Sequence, residues 1–202
     1  MSDYNWDSDY VSGDFRHWEP NSSSPELAAL VAAGLLRKTD KILDVGCGGG
    51  LDAIFMARCG FKLAGVDLSR KALKIAKARA DAAQVKVDWV LGSVFDLPLE
   101  SQTFDLVTDR GLFHLIEDAD RSRFSSEVFR VLKPRGHMLI RGASIETGQE
   151  RFNPVTDEAV DRFFPKNKWS RGALVPTQLF SIAGSIDARI VFLKKRGLYP
   201  VV

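Results

Sequence analysis

The segment Lys41-Ile42-Leu43-Asp44-Val45-Gly46-Cys47-Gly48-Gly49-Gly50 determines how the rest of the chain is interpreted. Its first half is an apolar run typical of a buried strand, and its glycines lead into a helix-forming run over 51–58. Glycine permits a sharp turn and lets a ligand approach the backbone without a Cβ in the way. The N–H groups at the start of the following helix suit a carboxylate or a phosphate. The segment therefore predicts a strand, a ligand-binding loop and a helix.

Strand and helix patterns alternate along the chain on both sides of this loop. The predicted strands are 41–45, 61–66, 85–91, 104–108 and 137–140, and the predicted helices are 25–36, 51–58, 69–83, 119–132 and 156–164. Two further strands, 179–183 and 188–193, flank Gly184-Ser185-Ile186-Asp187, which predicts a hairpin turn. Such alternation is typical of a doubly wound α/β fold. We expect a seven-stranded, mostly parallel sheet with an antiparallel C-terminal hairpin.

The composition is that of a globular domain. The chain has 202 residues, of which 45% are hydrophobic and 27% are charged, and both fractions are close to the average for such domains. A net charge of +2 gives no electrostatic reason to expect a nucleic acid or an anionic membrane as partner. Two cysteines are too few for a disulfide framework or a four-ligand zinc site, and no metal site is predicted.

No break in composition indicates a second domain, so residues 1–202 are expected to form one. It divides into an N-terminal segment, 1–24, a core, 25–142, and a C-terminal element, 143–202, in which no motif names a substrate. The acidic N-terminus lacks the basic-then-apolar order of a signal peptide, and no apolar stretch is long enough to span a bilayer. These features predict a cytoplasmic protein. The sequence makes no prediction about the oligomeric state.

Asp67 closes the second predicted strand, 21 residues after Gly46 (67 − 46). This spacing is expected for a carboxylate that binds a ribose. The dinucleotide fingerprint G-x-G-x-x-G fails when it is read from Gly46, because its third glycine position holds Leu51. Read from Gly48 it ends on the alanine variant at Ala53, but two residues late relative to the strand. The residues therefore favour an adenosine-containing ligand, with a nicotinamide-dependent oxidoreductase as an alternative.

The D-x-G-x-G-x-G pattern from Asp44 to Gly50 strongly resembles the first motif of class I S-adenosylmethionine-dependent methyltransferases. The resemblance covers about residues 25–142. It continues through Val66-Asp67-Leu68-Ser69 and the segments 92–98, 103–107 and 131–136. It implies a Rossmann-like methyltransferase fold, with S-adenosylmethionine as cofactor and S-adenosylhomocysteine as product.

The same resemblance implies roles for individual residues of the cofactor site. The loop would lie under the methionine part, Asp44 would orient the loop and help to hold the ammonium group, and Asp67 would bind both ribose hydroxyls. Ser93 stands where many relatives have aspartate, which predicts a weaker contact to the adenine or one shared with Asp96. Asp52 is left open between a helix-start charge and a cofactor contact. The implied cofactor-binding residues are Asp44, Gly46, Cys47, Gly48, Gly50, Asp67, Leu68, Ser93, Val94, Phe95 and Asp109.

The segment Asp109-Arg110-Gly111-Leu112-Phe113-His114 is similar to the Asp-Arg-Gly-x-x-His segment of a small-molecule branch of these enzymes. That branch contains thiopurine, thiol, halide and tellurite methyltransferases. The spacing of Trp6, Tyr10 and Trp18 is similar to its lid segment, which folds over the cofactor. The implied catalytic candidates are Asp109 near the transferred methyl group or the ammonium group, Arg110 for an anionic acceptor, His114 as a base, and Trp18 stacked on the sulfonium or the acceptor. The structural alternatives are an ion pair for Arg110, a hydrogen-bonded wall position for His114, and packing for Trp18 and Cys47.

These observations predict a methyltransferase that acts on a small molecule, with a thiol, halide or metalloid acceptor as the first hypothesis. Soft, anionic acceptors need alignment rather than a strong base, in agreement with a sequence that shows no evident catalytic dyad. A small carboxylate, amine or quinol-type acceptor on the same fold is the second hypothesis. The third is a protein that binds the cofactor without catalysis.

Overall fold

One eight-stranded sheet forms the centre of the computed structural model, which describes residues 4–20, 22–147 and 152–197. The strands are Lys41–Val45 (β1), Lys62–Asp67 (β2), Asp88–Leu91 (β3), Phe104–Arg110 (β4), Leu132–Ala143 (β5), Trp169–Arg171 (β6), Val175–Ser181 (β7) and Gly184–Lys195 (β8). Their spatial order is β3-β2-β1-β4-β5-β8-β6, and β7 also pairs with β8. Strands β1 to β5 are parallel, and β8 is antiparallel to its three neighbours. The predicted doubly wound α/β fold is confirmed.

Helices cover both faces of the sheet. They are Trp6–Ser12 (α1), Pro25–Ala32 (α2), Leu51–Arg58 (α3), Arg70–Ala82 (α4), Asp118–Val131 (α5) and Asp157–Phe163 (α6). Because side chains alternate along a strand, Leu43 and Val107 pack into the cluster on the side of α5 and α6. Their neighbours Ile42 and Leu106 pack into the cluster on the side of α2 and α3. Among the residues that the structure describes, no helix is long and apolar enough to cross a membrane.

The structure corrects two details of the C-terminal part. The sheet has eight strands rather than seven, because β6 has only three residues and is too short to show an alternating pattern. The hairpin turn is formed by Ile182-Ala183 and not by residues 184–187, which belong to β8 and pair with residues 178–181 of β7. The expectation gave too much weight to the turn-forming residues Gly184 and Ser185. Cross-strand pairing places Ile186 opposite the buried Leu179 and so fixes a two-residue loop.

The register of the central strands brings their polar ends together. Asp44 lies beside Thr108, and Arg110 lies beside Arg141. The carboxyl ends of β1, β4 and β5 therefore meet at one edge of the sheet, where open α/β folds bind their ligands.

Candidate cofactor and acceptor site

A cavity lies at this carboxyl edge of the sheet. Its floor is the glycine loop 46–50, and its walls include Asp67 with Leu68, Val94 with Phe95, and residues 110–112. Side chains of the N-terminal segment, including Trp6, Tyr10 and Trp18, complete the lining. The cavity thus combines most of the residues that the sequence assigned to the cofactor with the segment predicted to be a lid.

The glycine loop has a backbone that other residues would strain. Gly48 and Gly50 have φ angles of +51° and +78°, in the left-handed region that favours glycine. A Cβ at Gly48 would lie 2.7 Å from the Tyr10 hydroxyl oxygen, and one at Gly50 would lie 2.5 Å from the Trp89 ring. Cys47 also lines the cavity, but burial raises the pKa of its thiol well above the usual value, and the nearby Asp44 and Asp67 raise it further. The thiol is therefore protonated at neutral pH.

Asp67 is held in place by two backbone donors. Its Oδ2 accepts a hydrogen bond from the Gly48 N–H at 2.8 Å, and its Oδ1 accepts one from the Ser69 N–H at 2.8 Å. The Leu68 N–H also acts to lower the pKa of this carboxyl group, although burial raises the pKa overall; part of its acceptor capacity remains free. The side chain lines the cavity at the end of β2. This arrangement suits a ligand with two neighbouring hydroxyl groups, such as a ribose.

The loop after β3 presents apolar groups to the cavity. Val94 and Phe95 are buried and line it. Ser93 does not; its hydroxyl accepts a hydrogen bond from the Phe95 N–H at 3.1 Å and so shapes the loop. Asp96 is exposed and lies outside the lining. The structure therefore places neither hydroxyl nor carboxylate of this loop on the surface of the cavity.

Two buried aspartates, Asp44 and Asp52, line the cavity and lie near the buried Arg141. Asp44 accepts a hydrogen bond from the Thr108 hydroxyl at 3.0 Å. Burial, reinforced by the nearby Asp52, raises the pKa of Asp44 to about 7 even though Arg141 acts to lower it. Asp52 forms an ion pair with Arg141 at 3.0 Å. Burial alone would raise the pKa of Asp52, but Arg141 and two hydrogen bonds from Ser24 outweigh it and lower the pKa. At neutral pH, Asp52 is therefore the more strongly ionised of these two carboxyl groups.

Asp109 and His114 are buried beside the cavity rather than in its lining. The Asp109 carboxylate accepts hydrogen bonds from the N–H groups of Leu112 and Phe113, at 2.8 Å and 3.1 Å. Burial nevertheless raises the pKa of Asp109 to about 7. His114 accepts a hydrogen bond from the Ala143 N–H on its Nδ1 at 2.7 Å. Both side chains shape the turn after β4, and the placement of His114 agrees with the wall alternative.

Arg110 reaches the cavity from the end of β4. Its guanidinium donates hydrogen bonds to the backbone oxygens of Trp18, at 3.4 Å, and of Phe180. Within the described part of the chain it forms no ion pair, and burial lowers its pKa. Arg110 therefore joins the N-terminal segment to the β7–β8 hairpin and leaves a positive charge at the cavity without a carboxylate in contact.

The N-terminal segment is fixed to α4 by charged contacts. Glu19 forms a two-point ion pair with Arg79, with distances of 2.5 Å and 2.9 Å. Asp7 accepts hydrogen bonds from the Ser69 hydroxyl at 2.5 Å and from the Lys71 N–H at 3.0 Å. The Trp18 ring packs edge-on against Trp6 and Tyr10, with ring centres 6.0 Å and 6.4 Å apart. The segment thus closes one side of the cavity with aromatic rings.

Sequence reasoning missed several of these residues. Glu19 with Arg79 and Asp7 with Ser69 are pairs that lie about 60 residues apart in the chain, and no local pattern connects such positions. Arg141 did carry a signal. It follows the apolar run Met138-Leu139-Ile140 at the end of a buried strand, where an arginine is rare unless it is paired.

Comparisons with known proteins agree with this geometry. Residues 42–136 match the family described as "Methyltransferase domain". A ubiquinone biosynthesis O-methyltransferase from Mesorhizobium japonicum is 29% identical over 152 residues, 75% of this chain and 60% of the relative. One from Xanthomonas oryzae pv. oryzae is 30% identical over 159 residues, 75% of this chain and 66% of the relative. This chain therefore spans about 60% of the length of the first curated relative.

Solved structures share the fold. A SAM-dependent methyltransferase from Methanosarcina mazei superposes with a TM-score of 0.71 at 20% identity, covering 82% of this chain and 97% of that one. Residues 42–136 thus match a methyltransferase domain, and the chain has the fold of the solved methyltransferase.

The residues of the cavity fit S-adenosylmethionine, which supplies an electrophilic methyl group on a sulfonium. Asp67 has acceptor positions for the ribose, and the glycine loop leaves its backbone open to close approach. Trp6 lines the cavity, and its indole N–H is buried without a hydrogen-bond acceptor among the described residues. A buried donor without an acceptor lowers the stability of the fold unless a ligand or a water accepts its hydrogen bond.

The raised pKa of Asp44 predicts proton release when the cofactor binds. Near pH 7 the carboxyl group is about half protonated, and a nearby positive charge favours its ionised form. Binding of S-adenosylmethionine should therefore release a fraction of a proton at pH 7, and its affinity should rise between about pH 6 and pH 8. Calorimetric titrations in two buffers with different ionisation enthalpies measure this. Identical binding enthalpies in both buffers, or the same proton release in Asp44→Asn, would contradict the prediction.

Proposed function

We propose that this protein transfers the methyl group of S-adenosylmethionine to a small, soft nucleophile that is anionic at neutral pH: a thiolate, a halide or a metalloid anion. The observation that carries the proposal is Arg110, whose charge at the cavity has no carboxylate in contact among the described residues. Asp52, Glu26 and Asp44 act on this charge from a distance, but none of them forms an ion pair with it, so an anion in the cavity would be attracted to it. The acceptor would thus bind beside Arg110, in the same cavity as the cofactor.

The chemistry of the lining agrees with an acceptor that needs no base. Within the described residues the lining contains no histidine, and its carboxylates are engaged: Glu19 with Arg79, Asp52 with Arg141, Asp67 with backbone donors and Asp44 with Thr108. Methyl transfer from a sulfonium is an in-line displacement, and a protein accelerates it chiefly by aligning the two reactants. A general base is required only for an acceptor that still carries its proton.

A quinol-type hydroxyl is the second candidate acceptor. It is supported by the relatives named ubiquinone biosynthesis O-methyltransferases, which align with 75% of this chain. A hydroxyl acceptor must lose a proton during transfer, so this candidate requires a group that takes it up. Asp44, whose pKa is raised by burial to about 7, is the cavity carboxyl group closest to that requirement.

Three acceptors that differ in the nucleophilic atom distinguish the two candidates. We expect benzenethiol and iodide to produce methylated product together with S-adenosylhomocysteine, and catechol to produce little. Product mass and S-adenosylhomocysteine release are measured at about pH 8. Methylation of catechol in preference to benzenethiol would support the quinol-type acceptor instead. Binding of S-adenosylhomocysteine without turnover of any acceptor would support the non-catalytic alternative.

A further inference from the structure

Two buried carboxyl groups, Asp44 and Asp52, line the cavity beside the glycine loop, and the family resemblance assigned the ammonium group of the cofactor to Asp44, with Asp109 as an alternative. We propose that Asp52 binds this ammonium group, and that Arg141 and Ser24 hold Asp52 in position for it. The inference rests on the proposed function in so far as S-adenosylmethionine is the methyl donor. Asp52 would be a binding residue, and Arg141 a positioning residue that acts through it.

Arg141 is the first step of the argument. Its side chain is fully buried at the end of β5. The Nε–H donates to the Asp109 backbone oxygen at 3.2 Å, whereas Nη1 and Nη2 have no hydrogen-bond acceptor among the described residues. Nη1 nevertheless lies 3.0 Å from the Asp52 Oδ2. The contact is thus an ion pair whose geometry falls short of a hydrogen bond, and the charge of Asp52 is the main compensation for a buried cation.

Asp52 is the second step. It lies in the first turn of α3 and lines the cavity. Its Oδ1 accepts a hydrogen bond from the Ser24 N–H at 2.7 Å, and its Oδ2 accepts one from the Ser24 hydroxyl at 2.8 Å. With Arg141 near Oδ2, three of about four acceptor positions of the carboxylate are occupied. One position on Oδ1 is left for a further donor.

The comparison with Asp44 is the third step. Asp44 lines the same cavity, but Asp52 and Asp109 place further carboxyl groups beside it, and Thr108 donates to one of its oxygens. Arg141 acts on both aspartates, but Asp52 also has the Arg110 cation nearby and two hydrogen-bond donors from Ser24, so its pKa is lowered and that of Asp44 is raised. A cationic ligand is bound best by the carboxylate that is already ionised and fixed in orientation. That carboxylate is Asp52.

A pair of ligands isolates the interaction. S-adenosylhomocysteine contains the amino-acid group, and 5′-methylthioadenosine lacks it but retains the ribose and the adenine. At about pH 6, where Asp44 is largely protonated, we expect Asp52→Asn to weaken S-adenosylhomocysteine binding about 10- to 100-fold, the range for a lost charged hydrogen bond. Binding of 5′-methylthioadenosine should be unchanged, and Asp44→Asn should lower the ratio of the two affinities less than Asp52→Asn does.

Asp52→Asn leaves Arg141 buried without its counter-ion, which can unfold a protein. The double variant Asp52→Leu/Arg141→Met removes both charges and keeps the volume, a replacement that is often neutral for stability. It should lose the preference for S-adenosylhomocysteine by the same factor as Asp52→Asn. Arg141→Lys keeps a cation beside Asp52 and should retain most of the preference.

Calorimetry on the full chain gives separable outcomes. An unchanged ratio of the two affinities in the folded double variant, or an equal loss for both ligands, would show that Asp52 only neutralises Arg141 and would overturn the inference. A larger loss of the ratio in Asp44→Asn would assign the ammonium group to Asp44 and would also overturn it. Failure of the wild-type protein to bind either ligand would contradict the proposed function itself.

Discussion

Replacement of Asp67 by alanine is expected to weaken binding of S-adenosylhomocysteine about 10- to 100-fold, which corresponds to about 1–3 kcal/mol. The carboxylate is placed at the end of β2 by the Gly48 and Ser69 N–H groups, and the side chain lines the cavity. Alanine removes both acceptors and also the bond that ties the glycine loop to β2. The loss should be equal for 5′-methylthioadenosine, because that ligand keeps the ribose.

Asp96→Ala is the matched control for this prediction. Asp96 is an aspartate near the same cavity, but it is exposed and does not line it. Its replacement should leave both affinities within about twofold. Isothermal titration measures the two affinities in each variant, and thermal unfolding checks that each variant is folded. An unchanged affinity in a folded Asp67→Ala protein would remove Asp67 from the cofactor site, and a loss confined to Asp96→Ala would assign the polar contact to the loop after β3.

Much of the fold could be predicted because its signals are local. Each core strand is a short apolar run, and each helix carries its own periodicity, so the alternation that defines a doubly wound sheet is visible without any long-range contact. The strand β6 and the two-residue turn at Ile182-Ala183 lacked such signals. Both depend on pairing with β8. The stability of such pairing comes from side chains on neighbouring strands, and the pattern within one strand does not show which side chains those are.

In the candidate site, too, the residues with local sequence signals were predicted and those that depend on long-range contacts were not. The glycine loop and Asp67 belong to consecutive strand ends, and the Gly48–Asp67 hydrogen bond joins residues 19 positions apart. Arg141 in β5 and Asp52 in α3 are far apart in the chain. They come into contact only because β1, which precedes α3, lies two strands from β5 in the sheet. The position of Asp109 was predictable, but the direction of its carboxylate toward the N–H groups of Leu112 and Phe113 depends on the short turn that follows β4. Residue type and spacing locate a group more readily than they orient it.

Replacement of Arg110 by methionine is the other change with a large expected effect. For an anionic acceptor such as benzenethiol, ionised at about pH 8, we expect kcat/KM to fall about 10- to 100-fold, because a partly desolvated cation beside the acceptor is lost. The affinity for S-adenosylhomocysteine should stay within about threefold, since Arg110 contacts backbone oxygens and none of the loops assigned to the cofactor. Steady-state kinetics with calorimetry separates the two effects.

Arg110 also connects the N-terminal segment to the β7–β8 hairpin through its two backbone contacts. A lower kcat/KM in Arg110→Met therefore needs a control that disturbs the N-terminal segment without removing this charge. Arg79→Met removes the ion pair with Glu19 that fixes the same segment to α4, while the charge at the acceptor side of the cavity is kept. If Arg110 binds the acceptor, Arg110→Lys should recover part of the rate, and Arg79→Met should alter cofactor affinity more than acceptor KM. Equal losses of acceptor kcat/KM in Arg79→Met and Arg110→Met would instead show that closure of the segment, and not the charge of Arg110, supports methyl transfer.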